Sequence, residues 1–230
     1  MPADASIALL VRVKRTFMPL GWGMSMIEPS SKSTFAYNAI KAAILDGKLR
    51  GGEWINVRAW ASALGISDTP VKFALMALQA EGLVEAHARQ GFVVPDFNEI
   101  SLRDLFDIRS ELYLMATRGA HPRRSDSERL LSAPGLADLQ FATERLFVEI
   151  ALSSGRSELA AQIERINNRL RLIHRFKVDL ISDLADEFLR MAKAWRAADL
   201  AALEAEVIAF TGRRQDVVPE IVARSHQRAG

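Results

Sequence analysis

The sequence predicts a mainly α-helical protein, with an N-terminal winged helix-turn-helix followed by an all-α helical bundle. Three observations lead to this prediction. Residues 34–79 contain three short helical patterns separated by glycine-containing turns, and residues 83–94 contain two short apolar runs typical of a hairpin. From residue 101 onward, apolar residues recur at helical spacing with no strand pattern. That order of elements is typical of a winged helix followed by a separate helical domain.

The three helical patterns of the first part have recognisable starts and stops. The first covers residues 34–46, where Ser33 or Thr34 can cap the start. The second covers residues 59–64 and is expected to end at Gly65. The third covers residues 69–79, with Ser67 as its predicted cap and Pro70 in the first turn, where a missing N–H is tolerated. Strands are expected at residues 83–86 and 91–94, joined by a turn at 87–90.

The remaining chain predicts five or six amphipathic helices. The expected ranges are 101–118, 140–153, 158–181, 182–196, and from 199 to 210 or onward to 219. Three segments follow from these boundaries: a disordered N-terminal extension over residues 1–33, the winged helix-turn-helix over 34–97, and the helical domain over 98–230. Met24 or Met26 is an alternative natural start.

The composition excludes several classes of function. Of 230 residues, 49% are hydrophobic and 25% charged, which is ordinary for a globular protein. The absence of cysteine excludes disulfides and thiolate metal sites, and it suits a cytoplasmic protein. No apolar run approaches the roughly 18 residues of a membrane span, so no membrane association is expected. Because no glycine-rich phosphate loop and no histidine–nucleophile spacing occur, we do not expect an enzyme.

Several short motifs of the first part resemble the GntR family of bacterial transcription regulators, and in particular its FadR-like branch. They are ILDGKL at 44–49, ASALGIS at 61–67, TPV at 69–71, EGLV at 81–84 and GFVV at 91–94. The helical segment that begins LFDIRSEL at 105–112 fits the same branch. The resemblance implies a homodimer on a near-palindromic operator in double-stranded DNA. It also implies a small-molecule effector, such as a carboxylate with apolar parts, bound in the helical domain.

The part of the sequence that the resemblance assigns to DNA binding departs from the family in its charges. The family usually presents three arginines to DNA; here Arg58 stands at the first position, Asp68 at the second and Lys72 at the third. Asp68 either stabilises the helix start through the helix dipole and has lost contact with DNA, or it specifies a different operator. Residues 34–97 carry six Lys/Arg and six Asp/Glu, so no net basic charge supports DNA binding. The candidate DNA-binding residues are Arg58, Ser67, Asp68, Thr69, Lys72, Arg89 and Gly91.

The resemblance also locates a candidate effector site. Many FadR-like regulators hold a divalent cation with one Asp and three His, and the matching positions here are Glu144, Val148, Phe188 and Phe210. Because three imidazoles are replaced by apolar side chains, we predict no metal and an unusually apolar effector pocket. Arg109 either faces that pocket or forms a salt bridge with an acid such as Glu111. The candidate effector-binding residues are therefore Arg109, Glu144, Val148, Phe188 and Phe210.

Other polar residues of the helical domain are weaker candidates. Asn167 and Asn168 could line the pocket, although a surface position is the simpler expectation, and His174 is expected to be solvated. Two functions remain open. The first is a ligand-responsive, DNA-binding transcription regulator that acts as a homodimeric repressor. The second is a family member that has kept the fold but binds DNA weakly, and serves as a small-molecule or protein-binding module.

Overall fold

The computed structural model describes residues 32–121, 136–177 and 180–227. The expectation for residues 1–31 lies outside this range. The chain divides between Asp96 and Phe97 into two compact units, each of which has its own core. No helix in the described ranges is long and apolar enough to cross a membrane.

The first unit combines three helices with a small antiparallel sheet. Its elements are α1 (Lys32–Leu45), β1 (Trp54–Ile55), α2 (Val57–Leu64), α3 (Asp68–Ala80), β2 (Glu85–His87) and β3 (Gly91–Val93). The strand order is β1-β3-β2, so β3 is the central strand. Val93 of β3 pairs with Trp54 of β1 on one side and with Glu85 of β2 on the other. This arrangement is a winged helix-turn-helix, as the sequence predicts.

The first helix differs from its prediction at its start. It begins at Lys32, so Ser33 and Thr34 lie inside its first turn and neither precedes the helix as a cap. Its buried face includes Ala36, which is fully buried, whereas the larger Phe35 is 46% exposed. Ile40 and Ile44 are buried, and Lys41 Nζ forms an ion pair with Glu81 Oε2 at 2.6 Å. Apolar packing and this ion pair together tie α1 to the end of α3.

The turn between α2 and α3 agrees with the prediction at Gly65 but not at Ser67. Asn56 caps α2, since its Oδ1 accepts a hydrogen bond from Ala59 N at 3.1 Å. Gly65 ends that helix with φ +67°, a conformation that favours glycine. Ser67 stands at the cap position of α3 with extended backbone, but its side chain makes no capping hydrogen bond. Ser67 therefore occupies the predicted cap position without the capping hydrogen bond, and because it is exposed, solvent can satisfy the first amides of α3.

The second unit contains only helices within the described ranges. They are α4 (Glu99–Arg118), α5 (Leu136–Ser153), α6 (Ser157–Arg171), α7 (His174–Lys177), α8 (Leu184–Arg196), α9 (Leu200–Asp216) and α10 (Val218–Gln227). The helix predicted at 158–181 is divided at Leu172, and the last helix is divided at Val217. Pro219 falls in the first turn of α10, which explains why the chain restarts a helix there.

The core of the second unit is built around stacked aromatic side chains. Tyr113 on α4 stacks on Phe147 of α5 with ring centroids 3.8 Å apart, and it also contacts Phe210 of α9. Met191 and Trp195 of α8 complete the apolar centre. The start of α4 is fixed by a capping box in which Asn98 Oδ1 accepts from Ser101 N at 2.9 Å. These contacts set the positions of the helices that surround the cavity described below.

Candidate functional sites

Helix α3 presents one continuous exposed face on the first unit. Val71, Ala74, Leu75 and Leu78 are buried against the core. On the opposite side Thr69, Lys72, Phe73 and Met76 are exposed, and we call these four residues the recognition face. Phe73 is 58% exposed and Met76 is 56% exposed, so neither side chain belongs to the core. Residues three positions apart lie on the same side of a helix, so Phe73 shares the outer side of α3 with Met76.

Charges of both signs border the recognition face. Arg58, near the start of α2, is 91% exposed, and its Nε lies 4.0 Å from Asp68 Oδ2. An exposed pair at this distance contributes about 0–1 kcal/mol to stability, so Arg58 is free to move toward a ligand. Asp68 nevertheless places a carboxylate beside the cation that should approach DNA. The surface around α3 is therefore mixed in charge.

The hairpin formed by β2 and β3 carries a third exposed cation. Arg89 lies in the turn of residues 88–90 with φ +66°, a conformation that non-glycine residues adopt at a cost. Gln90 N donates to His87 O at 3.1 Å, and the His87 ring meets the ring of Trp54 edge-on at 5.5 Å. Gly91 follows with φ +115°. The hairpin therefore holds the Arg89 side chain at its tip.

The second unit contains a narrow cavity with an enclosed space of about 10 Å³, which is room for about one water molecule. Its lining comes from five helices: Arg109, Thr143, Glu144, Lys177, Leu184, Glu187, Phe210 and Arg214. Most of these side chains are charged. The sequence predicted an unusually apolar pocket, whereas five of the eight residues that line this cavity are charged. The reason is that charged groups on α7, α8 and α9 turn inward.

Both carboxylates of the cavity are paired with arginines. Glu187 is 1% exposed, and it accepts from Arg214 NH1 at 2.9 Å and Arg214 NH2 at 2.6 Å. Arg213 Nε also donates to Glu187 Oε1 at 2.7 Å. Glu144 Oε2 accepts two hydrogen bonds from Arg171, at 2.9 and 2.7 Å. These pairs compensate the charge of the acids but leave other cations of the cavity without a carboxylate of their own.

Arg109 is the least compensated of these cations. Its side chain is 1% exposed, and its guanidinium carbon lies 4.8 Å from the centre of the Phe210 ring and 5.1 Å from that of Phe106. Its Nε and NH2 have no hydrogen-bond partner among the described residues. Burial lowers the pKa of Arg109, and the negative charges of Glu144 and Glu187 act in the opposite direction. Of the two alternatives for Arg109, the structure places it at the cavity, and Glu111 is exposed.

Lys177 is a second buried cation at the cavity. Its side chain is 1% exposed, and burial together with the charges of Arg109 and Arg214 lowers its pKa well below the usual range. Burial and the nearby Lys177 also lower the pKa of His174 well below its usual range, so this imidazole is neutral. His174 is half-buried and its Nε2 is enclosed, so the expectation that it is solvated holds for only part of the side chain.

Asn167 and Tyr113 form a buried polar pair beside the cavity. Tyr113 OH donates to Asn167 Oδ1 at 2.9 Å, and Asn167 is 2% exposed. The simpler expectation of a surface position for Asn167 is therefore wrong. Burial raises the pKa of Tyr113 to about 12, so the phenol keeps its proton at neutral pH. Asn167 fixes the ring that stacks on Phe147 and does not line the cavity.

The five predicted effector residues fall into two groups. Arg109, Glu144 and Phe210 line the cavity. Phe188 is buried in the apolar core, and Val148 packs against that core. Sequence reasoning missed Lys177, Glu187 and Arg214, because a lysine or arginine on an amphipathic helix is normally solvated and no local pattern marks the exceptions. In the described ranges, no group of three or more His, Asp or Glu side chains is placed to hold a metal ion.

The two units define a class of protein: a winged helix-turn-helix joined to a helical domain with an internal cavity. Residues 32–94 match the family model described as bacterial regulatory proteins, gntR family. The first unit is therefore a domain of the type that this family model describes. This winged helix is a DNA-binding domain of the GntR type.

Two curated relatives show how far the similarity extends. The HTH-type transcriptional regulator McbR of Escherichia coli (strain K12) is 29% identical over 150 residues, covering 65% of this chain and 63% of McbR. The uncharacterized HTH-type transcriptional regulator YdhC of Bacillus subtilis (strain 168) is 31% identical over 80 residues, covering 35% and 36%. The chain thus spans less than two thirds of each relative. The family and these relatives are transcription regulators and not enzymes, in agreement with the expectation from the sequence.

Solved structures confirm the fold. A GntR transcriptional regulator from Rhodococcus sp. RHA1 superposes with a TM-score of 0.70 at 17% identity, covering 82% of this chain and 98% of that chain. The E. coli McbR/YncC structure superposes with a TM-score of 0.60 at 24% identity, covering 89% and 100%. At these identities the likeness concerns the fold alone.

Proposed function

We propose that this protein is a ligand-responsive transcription regulator that binds double-stranded DNA as a homodimer and acts as a repressor on a near-palindromic operator. The observation that supports DNA binding most strongly is the recognition face: Thr69, Lys72, Phe73 and Met76 are exposed together on the second helix of a helix-turn-helix. In proteins with this motif, that helix enters the major groove and its first turns contact base edges.

The other candidate residues flank this face in the proposed complex. Arg58 and Lys72 contact phosphates or bases, and Arg89 contacts the backbone beside the groove from the tip of the hairpin. Ser67 and Thr69 lie at the start of α3, where hydroxyl groups can bond to phosphate or bases. Gly91 allows the close approach of the hairpin backbone. Phe73 and Met76 offer apolar contacts, which suit the methyl group of thymine.

Effector binding would act through the cavity of the second unit. Arg109, Glu144 and Phe210 line it and are proposed to contact the effector. A ligand that binds one arrangement of the helical domains more tightly shifts the population toward that arrangement. In a homodimer this would change the spacing of the two DNA-reading helices, and thereby the affinity for the operator.

One observation favours the second candidate, a protein that has kept the fold but binds DNA weakly. Asp68 lies 4.0 Å from Arg58 and reduces the positive charge where phosphate would approach. With only Lys72 and Arg89 as further candidate contacts, the salt-dependent part of the affinity would be small.

Fluorescence anisotropy with the protein's own upstream DNA distinguishes the two candidates. We expect selective binding over non-specific DNA, with an affinity that falls as salt rises. The test variant is Asp68→Arg, and Asp46→Arg, at the end of α1, is the control because it makes the same charge change outside α3. Absence of selective binding by the unaltered chain, restored by Asp68→Arg and not by Asp46→Arg, would establish the second candidate. Absence of selective binding by all three would overturn the proposal.

A further inference from the structure

We propose that Arg58 and Asp68 act as a pair that recognises one C·G base pair in the major groove of the operator. The Asp68 carboxylate accepts a hydrogen bond from the amino group of cytosine, and the Arg58 guanidinium donates to the guanine of the same base pair. This inference rests on the operator binding proposed above and deepens it, because it names the base pair that these two residues select.

The first argument is the position of the two side chains. Asp68 is the first residue of α3, and in helix-turn-helix proteins the first turns of this helix contact base edges. Arg58 lies in the first turn of α2, and its Nε lies 4.0 Å from Asp68 Oδ2. A cation and a carboxylate from two different helices therefore lie side by side at the end of α3 that would enter the groove.

The second argument is that the fold makes little use of either side chain. The Arg58 side chain is 91% exposed and the Asp68 side chain 44% exposed. Their separation of 4.0 Å is longer than a hydrogen bond, and in the part of the chain that the structure describes neither side chain makes one. An exposed ion pair of this kind contributes little to stability. The guanidinium donors and the carboxylate oxygens are therefore open to a ligand.

The third argument is the match between this pair and the edge of a base pair. In the major groove cytosine presents its N4 amino donor, and its paired guanine presents the acceptors O6 and N7. Arginine can donate to O6 and N7 together, and aspartate can accept from the cytosine amino group. A T·A pair has the O4 acceptor of thymine in place of the amino group, and this oxygen would repel the Asp68 carboxylate. The pair therefore discriminates against thymine as well as selecting cytosine.

The carboxylate has opposite effects on affinity and on selectivity. Asp68 repels phosphate and so weakens binding to DNA of any sequence. It gains a charge-assisted hydrogen bond only where cytosine lies within its reach. Replacement of Asp68 by alanine should therefore raise the affinity for non-specific DNA and remove the preference for cytosine. A carboxylate that only stabilised the start of α3 would leave the base preference unchanged.

The test begins with selection of binding sites for the full chain from DNA with a randomised central region, followed by sequencing. We expect one position in each half-site to be cytosine. In fluorescence anisotropy, changing that C·G pair to T·A should weaken binding of the unaltered chain by about tenfold. The same change should have no effect on binding of Asp68→Ala. Selection with Asp68→Arg should yield guanine at this position, because arginine donates to O6 and N7.

Two modified bases test the atoms that the inference assigns. N4-methylcytosine still pairs with guanine, but its methyl group lies in the major groove and blocks the contact with Asp68. 7-Deazaguanine in the opposite strand removes the N7 acceptor of Arg58. Each should weaken binding of the unaltered chain by about fivefold or more. N4-methylcytosine should have no effect on Asp68→Ala, and 7-deazaguanine should have none on Arg58→Met.

Asp46→Ala is the matched control for Asp68→Ala. Asp46 is also an exposed acid beside a cation, since its Oδ2 lies 3.4 Å from Lys48 Nζ, but it follows the end of α1 and lies outside α2 and α3. This variant should select the same sites as the unaltered chain. Because all three substituted side chains are exposed, the variants should keep the thermal midpoint of the unaltered chain, so a lost preference is not a consequence of unfolding.

Two results would overturn the inference while leaving the proposed function in place. In the first, the selected sites contain no position whose base preference depends on Asp68. In the second, N4-methylcytosine weakens Asp68→Ala as much as it weakens the unaltered chain. Failure to select any sequence would overturn the proposed operator binding and this inference together, so the two failures are distinguishable.

Discussion

The Glu187→Gln substitution tests whether the buried ion pairs of the cavity carry as much energy as their geometry implies. Glu187 is 1% exposed and the Arg214 side chain 3% exposed, and two hydrogen bonds of 2.9 and 2.6 Å join them. A neutral amide at this position leaves Arg214 without its counter-ion, next to Arg109 and Lys177. Removing one partner of a buried pair costs about 3–5 kcal/mol. Because Arg213 also loses its negatively charged partner, we expect a value toward the upper end of that range.

Urea denaturation of the ligand-free chain, followed by far-UV circular dichroism, measures this loss, since most of the helices belong to the second unit. Glu206→Gln is the matched control. Glu206 pairs with Arg190 at 3.1 Å on the surface, with side chains 23% and 42% exposed, and such a pair contributes below about 1 kcal/mol. If Glu187→Gln destabilises the chain no more than Glu206→Gln does, the account of the cavity electrostatics given above is refuted.

Three further substitutions test local features. Ala198→Gly should stabilise the chain by about 0.5–1 kcal/mol in thermal denaturation, because Ala198 has φ +55°; Ala197→Gly, one residue earlier with φ −76°, should not. Arg89→Gly should reduce the slope of log affinity for DNA against log salt by about one, without lowering the thermal midpoint, since φ +66° suits glycine. Phe73→Ala should change stability by less than about 0.5 kcal/mol but alter sequence selectivity in DNA-binding assays, because the side chain is 58% exposed. An unchanged salt slope in Arg89→Gly would contradict the expectation for Arg89. A loss of stability in Phe73→Ala as large as that for a buried side chain would contradict the expectation for Phe73.

The local features of the first unit could be predicted because their signals lie close together in the chain. Gly65 has the positive φ that its position after an apolar-periodic helix indicates. The hairpin around residues 88–90 follows from two short apolar runs separated by polar residues. Strand β1 was missed because it has only two residues, Trp54 and Ile55. Its pairing with Val93 and Phe92 depends on a contact nearly forty residues away, which no local pattern encodes.

The burial of charged side chains around the cavity is the feature that the sequence did not predict. Arg109 was expected either to face a pocket or to form a salt bridge, and only the packing of α4 against its neighbours distinguishes these alternatives. Lys177 follows Phe176 on a helix of four residues, where periodicity cannot be measured. Arg214 is adjacent to Arg213 in the last turn of α9, where a pair of arginines normally indicates solvent. Burial of charge is decided by how helices pack together, so it could not be predicted from one sequence.

The same buried charges affect both the stability of the helical unit and its proposed response to an effector. Unpaired donors on Arg109 and the buried Lys177 destabilise the ligand-free unit, and the apolar packing around Tyr113 and Phe147 offsets that cost. A ligand that compensates these cations stabilises the folded unit by about 2.7 kcal/mol when its concentration is a hundred times Kd. This is comparable to the cost of a single uncompensated buried group, so the occupied and empty cavity should differ measurably in thermal midpoint.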